Sequence, residues 1–154
     1  RPRRTRRVPR APVTLDDPAA VAGRRVVVVE DGPTLTHGSM TFGAGVVGAK
    51  DAGAAEIVDP APFAVGSLAA TYARYPNARG ILPAMGYGQA QTRDLEATIR
   101  AMVDAGVVDV VVSGTPVDLT RVLTVDVPLV RARYSLREQQ PGRLQSALER
   151  TLNR

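Results

Sequence analysis

The sequence holds no cysteine, which excludes disulfides and thiolate-bound metals from this chain. A single histidine, His37, excludes any site that needs two imidazoles. Aromatic residues make up only 4% and tryptophan is absent, so the core must be built from Val, Ala, Leu and Ile. No apolar stretch approaches the ~20 residues that cross a bilayer, and no signal-peptide core is present. A cytoplasmic protein without membrane contact is therefore expected. Lysine is nearly missing as well: Lys50 stands beside 19 arginines, the bias of a G+C-rich genome. The chain begins at Arg1 rather than Met, which suggests a piece trimmed from something longer.

What is present is charge of uneven distribution. The formal net charge is +5, but six of the 20 basic residues (Arg1, Arg3, Arg4, Arg6, Arg7 and Arg10) lie in the first ten positions. The remaining 14 basic and 15 acidic groups nearly cancel, so the body of the chain is not a basic nucleic-acid module. Residues 1–23 read as an Arg/Pro-rich, disordered arm and linker, although a short basic arm can also grip phosphates. Residues 24–154 read as one Rossmann-like α/β domain.

Within that domain, strands and helices alternate. Val26-Val27-Val28-Val29 and Val110-Val111-Val112 have the continuous apolar character of strands buried on both faces. The spacing predicts strands over Arg25–Val29, Ala55–Val58, Gly80–Leu82, Val107–Val112 and, as an alternating edge strand, Leu129–Tyr134. Helices are expected over Ala44–Ala52 (stopped at Gly53), from a Ser67 cap to Tyr75, over Gln89–Ala105 and over Arg143–Leu152. In the third of these, Leu95, Ile99, Met102 and Val103 form one stripe of a 3.6-residue period. Such repeats give an open sheet of about five mostly parallel strands with helices on both faces. Ligands then sit at the carboxyl ends of the strands. The informative loops are Glu30–Phe42, Asp59–Gly66, Pro83–Gly88 and Gly114–Asp118.

The first of these loops carries the most chemistry. Glu30 and Asp31 offer carboxylates for Mg²⁺, which commonly takes one or two such ligands plus substrate phosphates. Thr34, Thr36, Gly38 and a following helix N-terminus could cradle an anion, and His37, as a histidine, could shuttle a proton or pair with a phosphate. A long capped loop with a solvent-facing histidine is the plain alternative. Gly43-Ala44-Gly45-Val46-Val47-Gly48 satisfies GxGxxG, and Asp59 ends the next strand as a ribose-binding acid might. Yet thirteen residues separate Val29 from Gly43, whereas the dinucleotide fingerprint follows its strand directly. These glycines more simply let a helix start close against the sheet. Met85-Gly86-Tyr87-Gly88 and Gly114-Thr115-Pro116 read only as sharp turns. Arg131 and Arg133 present planar forks suited to phosphate or carboxylate, or else line a solvated edge, and Asp118 with Arg121 reads as a surface pair.

The run Val27-Val28-Val29-Glu30-Asp31-Gly32-Pro33-Thr34-Leu35-Thr36-His37-Gly38 resembles a segment of the cyclic 2,3-diphosphoglycerate synthetase family, many of whose bacterial members are labelled GTPases. The likeness continues through Phe42-Gly43-Ala44-Gly45, Gly53-Ala54-Ala55-Glu56-Ile57-Val58-Asp59-Pro60 and Ala64-Val65-Gly66-Ser67. It resumes at Leu82-Pro83-Ala84-Met85-Gly86-Tyr87-Gly88, Arg93-Asp94-Leu95-Glu96, Gly114-Thr115-Pro116-Val117-Asp118-Leu119 and Arg131-Ala132-Arg133-Tyr134. It thus spans about Pro12 to Tyr134.

The resemblance implies the C-terminal region of an ATP-dependent ligase that closes two phosphates of 2,3-diphosphoglycerate into an internal anhydride. Catalysis of that kind is mainly positioning and charge neutralisation. Neither a GxxxxGK-Ser/Thr loop nor an Asn-Lys-x-Asp motif occurs here, so the nucleotide-binding half is expected in cis or as a separate subunit, with Mg²⁺ and ATP or GTP serving the complete protein. His37 and Asp31 are the expected catalytic residues. Thr34, Thr36, Gly38, Arg131 and Arg133 are expected at the substrate, and Glu30 and Asp31 at a metal. A homo-oligomer, a stand-alone binding or regulatory module for a phosphorylated metabolite, and a remnant without function remain open, and a nicotinamide-dinucleotide domain stands behind them.

Overall fold

The computed structural model describes residues 12–32 and 43–134. By internal contacts the chain divides into Val13–Arg133 and a second unit of Arg1–Pro12 with Tyr134–Arg154. The first unit carries the sheet. Its strands are β1 (Val13–Leu15), β2 (Arg25–Asp31), β3 (Glu56–Ile57), β4 (Leu82–Ala84), β5 (Val110–Ser113) and β6, which begins at Leu129 and is assigned to Tyr134. The helices among the described residues are α1 (Ala44–Asp51), α2 (Gly66–Arg74) and α3 (Gln89–Asp104). None of them is long and apolar enough to cross a membrane.

The sheet runs β1-β6-β5-β2-β3, with β4 also pairing β2. β2 is central: it pairs in parallel with β5 on one side, and on the other with β3 near its start and β4 near its end. β5 pairs in parallel with β6, and β1 closes the far edge as the one antiparallel partner among the described residues. The α/β class, the open and mostly parallel sheet and the helices on both faces are thus as the sequence implies.

The valine runs explain why β2 and β5 sit at the centre. Val27, Val29 and Val111 face a core formed with Leu68 of α2 and Leu95, Ile99 and Met102 of α3. Val26, Val28, Val110, Val112 and Val130 face the opposite core, with Val46 and Ala49 of α1. All four valines of β2 are fully buried, and burying a side chain of that size is worth roughly 1.5–3 kcal/mol.

Several boundaries differ from expectation for identifiable reasons. Residues 12–23, read as linker, supply β1, a turn and the fully buried Val21; residues 1–11 lie outside the described residues. β6 is not an edge, because β1 covers it. β4 starts two residues later than expected and contains Pro83, which an edge strand tolerates on its open side. Ser67 does not cap α2: the N-cap is Val65, and Ser67 lies inside the helix, bonding Asp94 of α3 through its amide (2.8 Å) and hydroxyl (2.6 Å). The helix expected over Arg143–Leu152 lies outside the described residues.

Candidate functional site

The sheet has a point at which neighbouring chains part. From β2 the chain goes on to α1 on one face, while the connection after β5 packs Leu119 and Leu123 into the core on the other face. The carboxyl ends of the adjacent strands β2 and β5 therefore lie where a ligand crevice is usually found in open α/β sheets. Around it lie Glu30 and Asp31 from β2, the Met85–Gly88 turn after β4, the Ser113–Asp118 turn after β5, and Arg131 of β6.

Successive residues of a strand point to opposite faces. Glu30 follows Val28 to the α1 face. There its carboxylate is buried, at 3% exposure, and its Oε1 accepts a hydrogen bond from the Val46 amide at 3.0 Å. Burial pushes its pKa up, against the pull of the Val46, Gly43 and Gly45 amides. The glycines explain how this fits. A Cβ on Gly43 or Gly114 would collide with the Glu30 carboxylate, and one on Gly45 would lie 3.0 Å from Glu30 Oε1 and 3.1 Å from the Gly114 amide. The GxGxxG run thus lets α1 begin hard against the sheet, its first amides occupied by an internal carboxylate. Those are the amides that a dinucleotide pyrophosphate would need. The third glycine, Gly48, packs on Leu15 and Val13 of β1.

Asp31 follows Val29 to the α2/α3 face, where it is half-buried. Tyr87 and Thr115 meet on this side, with their hydroxyls 2.7 Å apart. Thr115 is buried, and its hydroxyl also accepts from the Val117 amide at 3.0 Å. Burial raises the Tyr87 pKa, the bond to Thr115 opposes the rise, and the Asp31 charge adds to it. Ser113 and Arg131, paired in register, follow Val111 and Leu129 to this face. The Ser113 hydroxyl and Arg131 Nε are buried without a hydrogen-bond partner among the described residues. The rest of the Arg131 guanidinium donates to the Pro116 carbonyl (3.1 Å) and lies 3.7 Å from Asp118.

The candidates read from sequence therefore separate. Glu30 is a cap on α1. Asp31 and Arg131 are at the crevice on its other face. Arg133 is turned to the exposed Asp16, which it meets through two hydrogen bonds of 2.5 and 3.0 Å. Asp59 accepts from the amides of Ala61 and Gly80 and so serves two turns rather than a ribose. Asp118 and Arg121 do form an exposed pair, at 3.7 Å. Thr34, Thr36, His37 and Gly38 lie outside the described residues. Among the described residues no three His, Cys, Asp or Glu side chains gather as a metal cage. Alternation along β2 turns Glu30 towards the α1 face and Asp31 towards the α2/α3 face. Sequence reasoning passed over Tyr87, Ser113 and Thr115, though two of them stand in the Gly-bearing turns it had marked.

Over 139 residues the chain is 53% identical to a protein of Thermococcus kodakarensis named arginine synthetase ArcE. The match takes in 90% of this chain and 30% of that protein. No known family model matches the chain, and no solved structure matches it.

Proposed function

We propose that the chain is the substrate-holding α/β portion of an ATP-dependent ligase, with its substrate at the carboxyl ends of β2 and β5. The observation that carries this reading is the parting of the chain at the β2–β5 boundary, where polar groups from four separate turns and strands converge. The 53% identity to a protein named a synthetase supports the class of reaction. The nucleotide-binding portion lies in cis or on a separate subunit, since no P-loop occurs in these 154 residues.

For the substrate, the resemblance to cyclic 2,3-diphosphoglycerate synthetase favours a phosphoglycerate. In that case Asp31 holds Mg²⁺ against a phosphate, Thr34, Thr36, His37 and Gly38 take its oxygens, and Arg131 screens charge. Arg133, engaged by Asp16, has the weaker claim. A second reading, favoured by the relative's name, puts arginine or its precursor in the same crevice. Asp31 then offers the charge that a guanidinium seeks, without a metal.

Calorimetric titration of the 154-residue chain with 2,3-diphosphoglycerate and Mg²⁺, with arginine, and with ATP tests the proposal. Saturable binding of either of the first two, without ATP, is the expected result and names the substrate class. Binding of ATP alone, or of none of the three, contradicts it.

A further inference from the structure

Tyr87 and Thr115 belong to two turns that the sequence marks only as sharp bends, and the structure joins them hydroxyl to hydroxyl at 2.7 Å beside Asp31. Each hydroxyl has one proton to donate and two lone pairs to accept with. Their mutual bond consumes one proton and one lone pair, and the Val117 amide takes another lone pair of Thr115. Among the described residues one hydroxyl proton is therefore left over, whichever way the mutual bond points. Around the same carboxyl edge and on the same face, the Ser113 hydroxyl and Arg131 Nε are also donors without partners among the described residues. Buried donors rarely go unmatched, and a group of them at a ligand crevice calls for an acceptor.

We infer that the Tyr87–Thr115 pair is a specificity-determining element that donates its spare proton to an acceptor oxygen of the ligand, a phosphate or carboxylate oxygen. The inference rests on the proposed ligand crevice and deepens it by fixing the face on which the ligand lies: the α2/α3 face, opposite Glu30. A tyrosine hydroxyl carries its proton at neutral pH, so Tyr87 is a donor as it stands. Thr115 sets the angle of the tyrosine and is itself fixed by Val117. Nothing covalent is asked of either residue.

The test is Tyr87→Phe, which removes one hydroxyl and leaves the ring packed. The 154-residue chain and the variant are titrated with 2,3-diphosphoglycerate plus Mg²⁺, with arginine and with inorganic phosphate, and their melting temperatures are compared. The expected result is about tenfold weaker binding of whichever probe binds the parent, the size of one lost hydrogen bond to a charged acceptor, at a nearly unchanged melting temperature. Thr115→Ser, which keeps the hydroxyl, retains the parent affinity. Equal affinities for Tyr87→Phe and the parent overturn the inference while leaving the crevice standing. Weaker binding that tracks a fall in melting temperature shows a structural bond only and overturns it too. A parent chain that binds no probe removes both the inference and the reading beneath it.

Discussion

Replacing Gly114 by alanine tests the packing that shapes the crevice. The added methyl would lie 2.5 Å from the Gly45 amide nitrogen and would also collide with the Glu30 carboxylate. Neither neighbour can yield cheaply. One is the backbone at the start of α1; the other is a buried side chain held by the Val46 amide at 3.0 Å. Overpacking of this kind costs about 1–3 kcal/mol. Breaking the charge-assisted bond to Val46 adds about 1.5–3 kcal/mol, and the two together suggest a loss of about 2.5–6 kcal/mol. In urea, with a slope of about 1.5 kcal/mol per molar, the midpoint then falls by roughly 2–4 M. Gly53→Ala is the control. Gly53 has φ +78° and no atom within 4 Å of an added Cβ, so only the left-handed backbone resists, at about 1 kcal/mol. A Gly114→Ala midpoint no lower than that of Gly53→Ala would refute the account of α1 being seated on Glu30.

Two further results are expected. Ser113→Ala removes a buried hydroxyl without a partner among the described residues, so it gains up to about 1 kcal/mol and raises the melting temperature by about 3 °C; a fall would mean the hydroxyl is bonded. The acid limb of stability follows from four aspartates held below their usual 3.8: Asp109, down to about 2 through the Arg25 side chain, Asp16 through Arg133, Asp94 through Ser67 and Asp118 through Thr120. Each is depressed on folding, so its contribution is complete above 3.8 and lost as pH falls towards 2. Glu30 has the opposite sign: its raised pKa makes folding take up a proton, a contribution present below 4.5 and lost as pH rises through the folded value. Urea midpoints should thus drop between pH 4 and 2, and Glu30→Gln should flatten the upper limb. A pH-independent midpoint contradicts both statements.

The parts of this fold that were legible are those that a local pattern specifies. Valine runs marked β2 and β5, and the Leu95–Ile99–Met102 stripe placed α3 to within a residue. The tertiary devices were not legible. Neither α1 nor α2 carries a side-chain cap of its own; Glu30 reaches α1 from β2, and Asp94 reaches the start of α2 from α3, 27 residues away from Ser67. Ser67 resembled a cap because its type suits one, yet its hydroxyl is spent on Asp94. The site divides the same way. Sequence proximity put Glu30 and Asp31 together, while strand alternation sends them to opposite faces. Tyr87 and Thr115, 28 residues apart, come together only through the order of the strands.

The most direct test of the central claim is to map the ligand on the folded chain. Amide resonances are followed by NMR as 2,3-diphosphoglycerate with Mg²⁺, or arginine, is added. The account predicts that the largest shifts within the described residues fall at Asp31, Met85–Gly88, Ser113–Asp118 and Arg131, the carboxyl edge of the sheet. Shifts gathered instead at the opposite edge, near Arg25, Gly106 and Asp109, would contradict it.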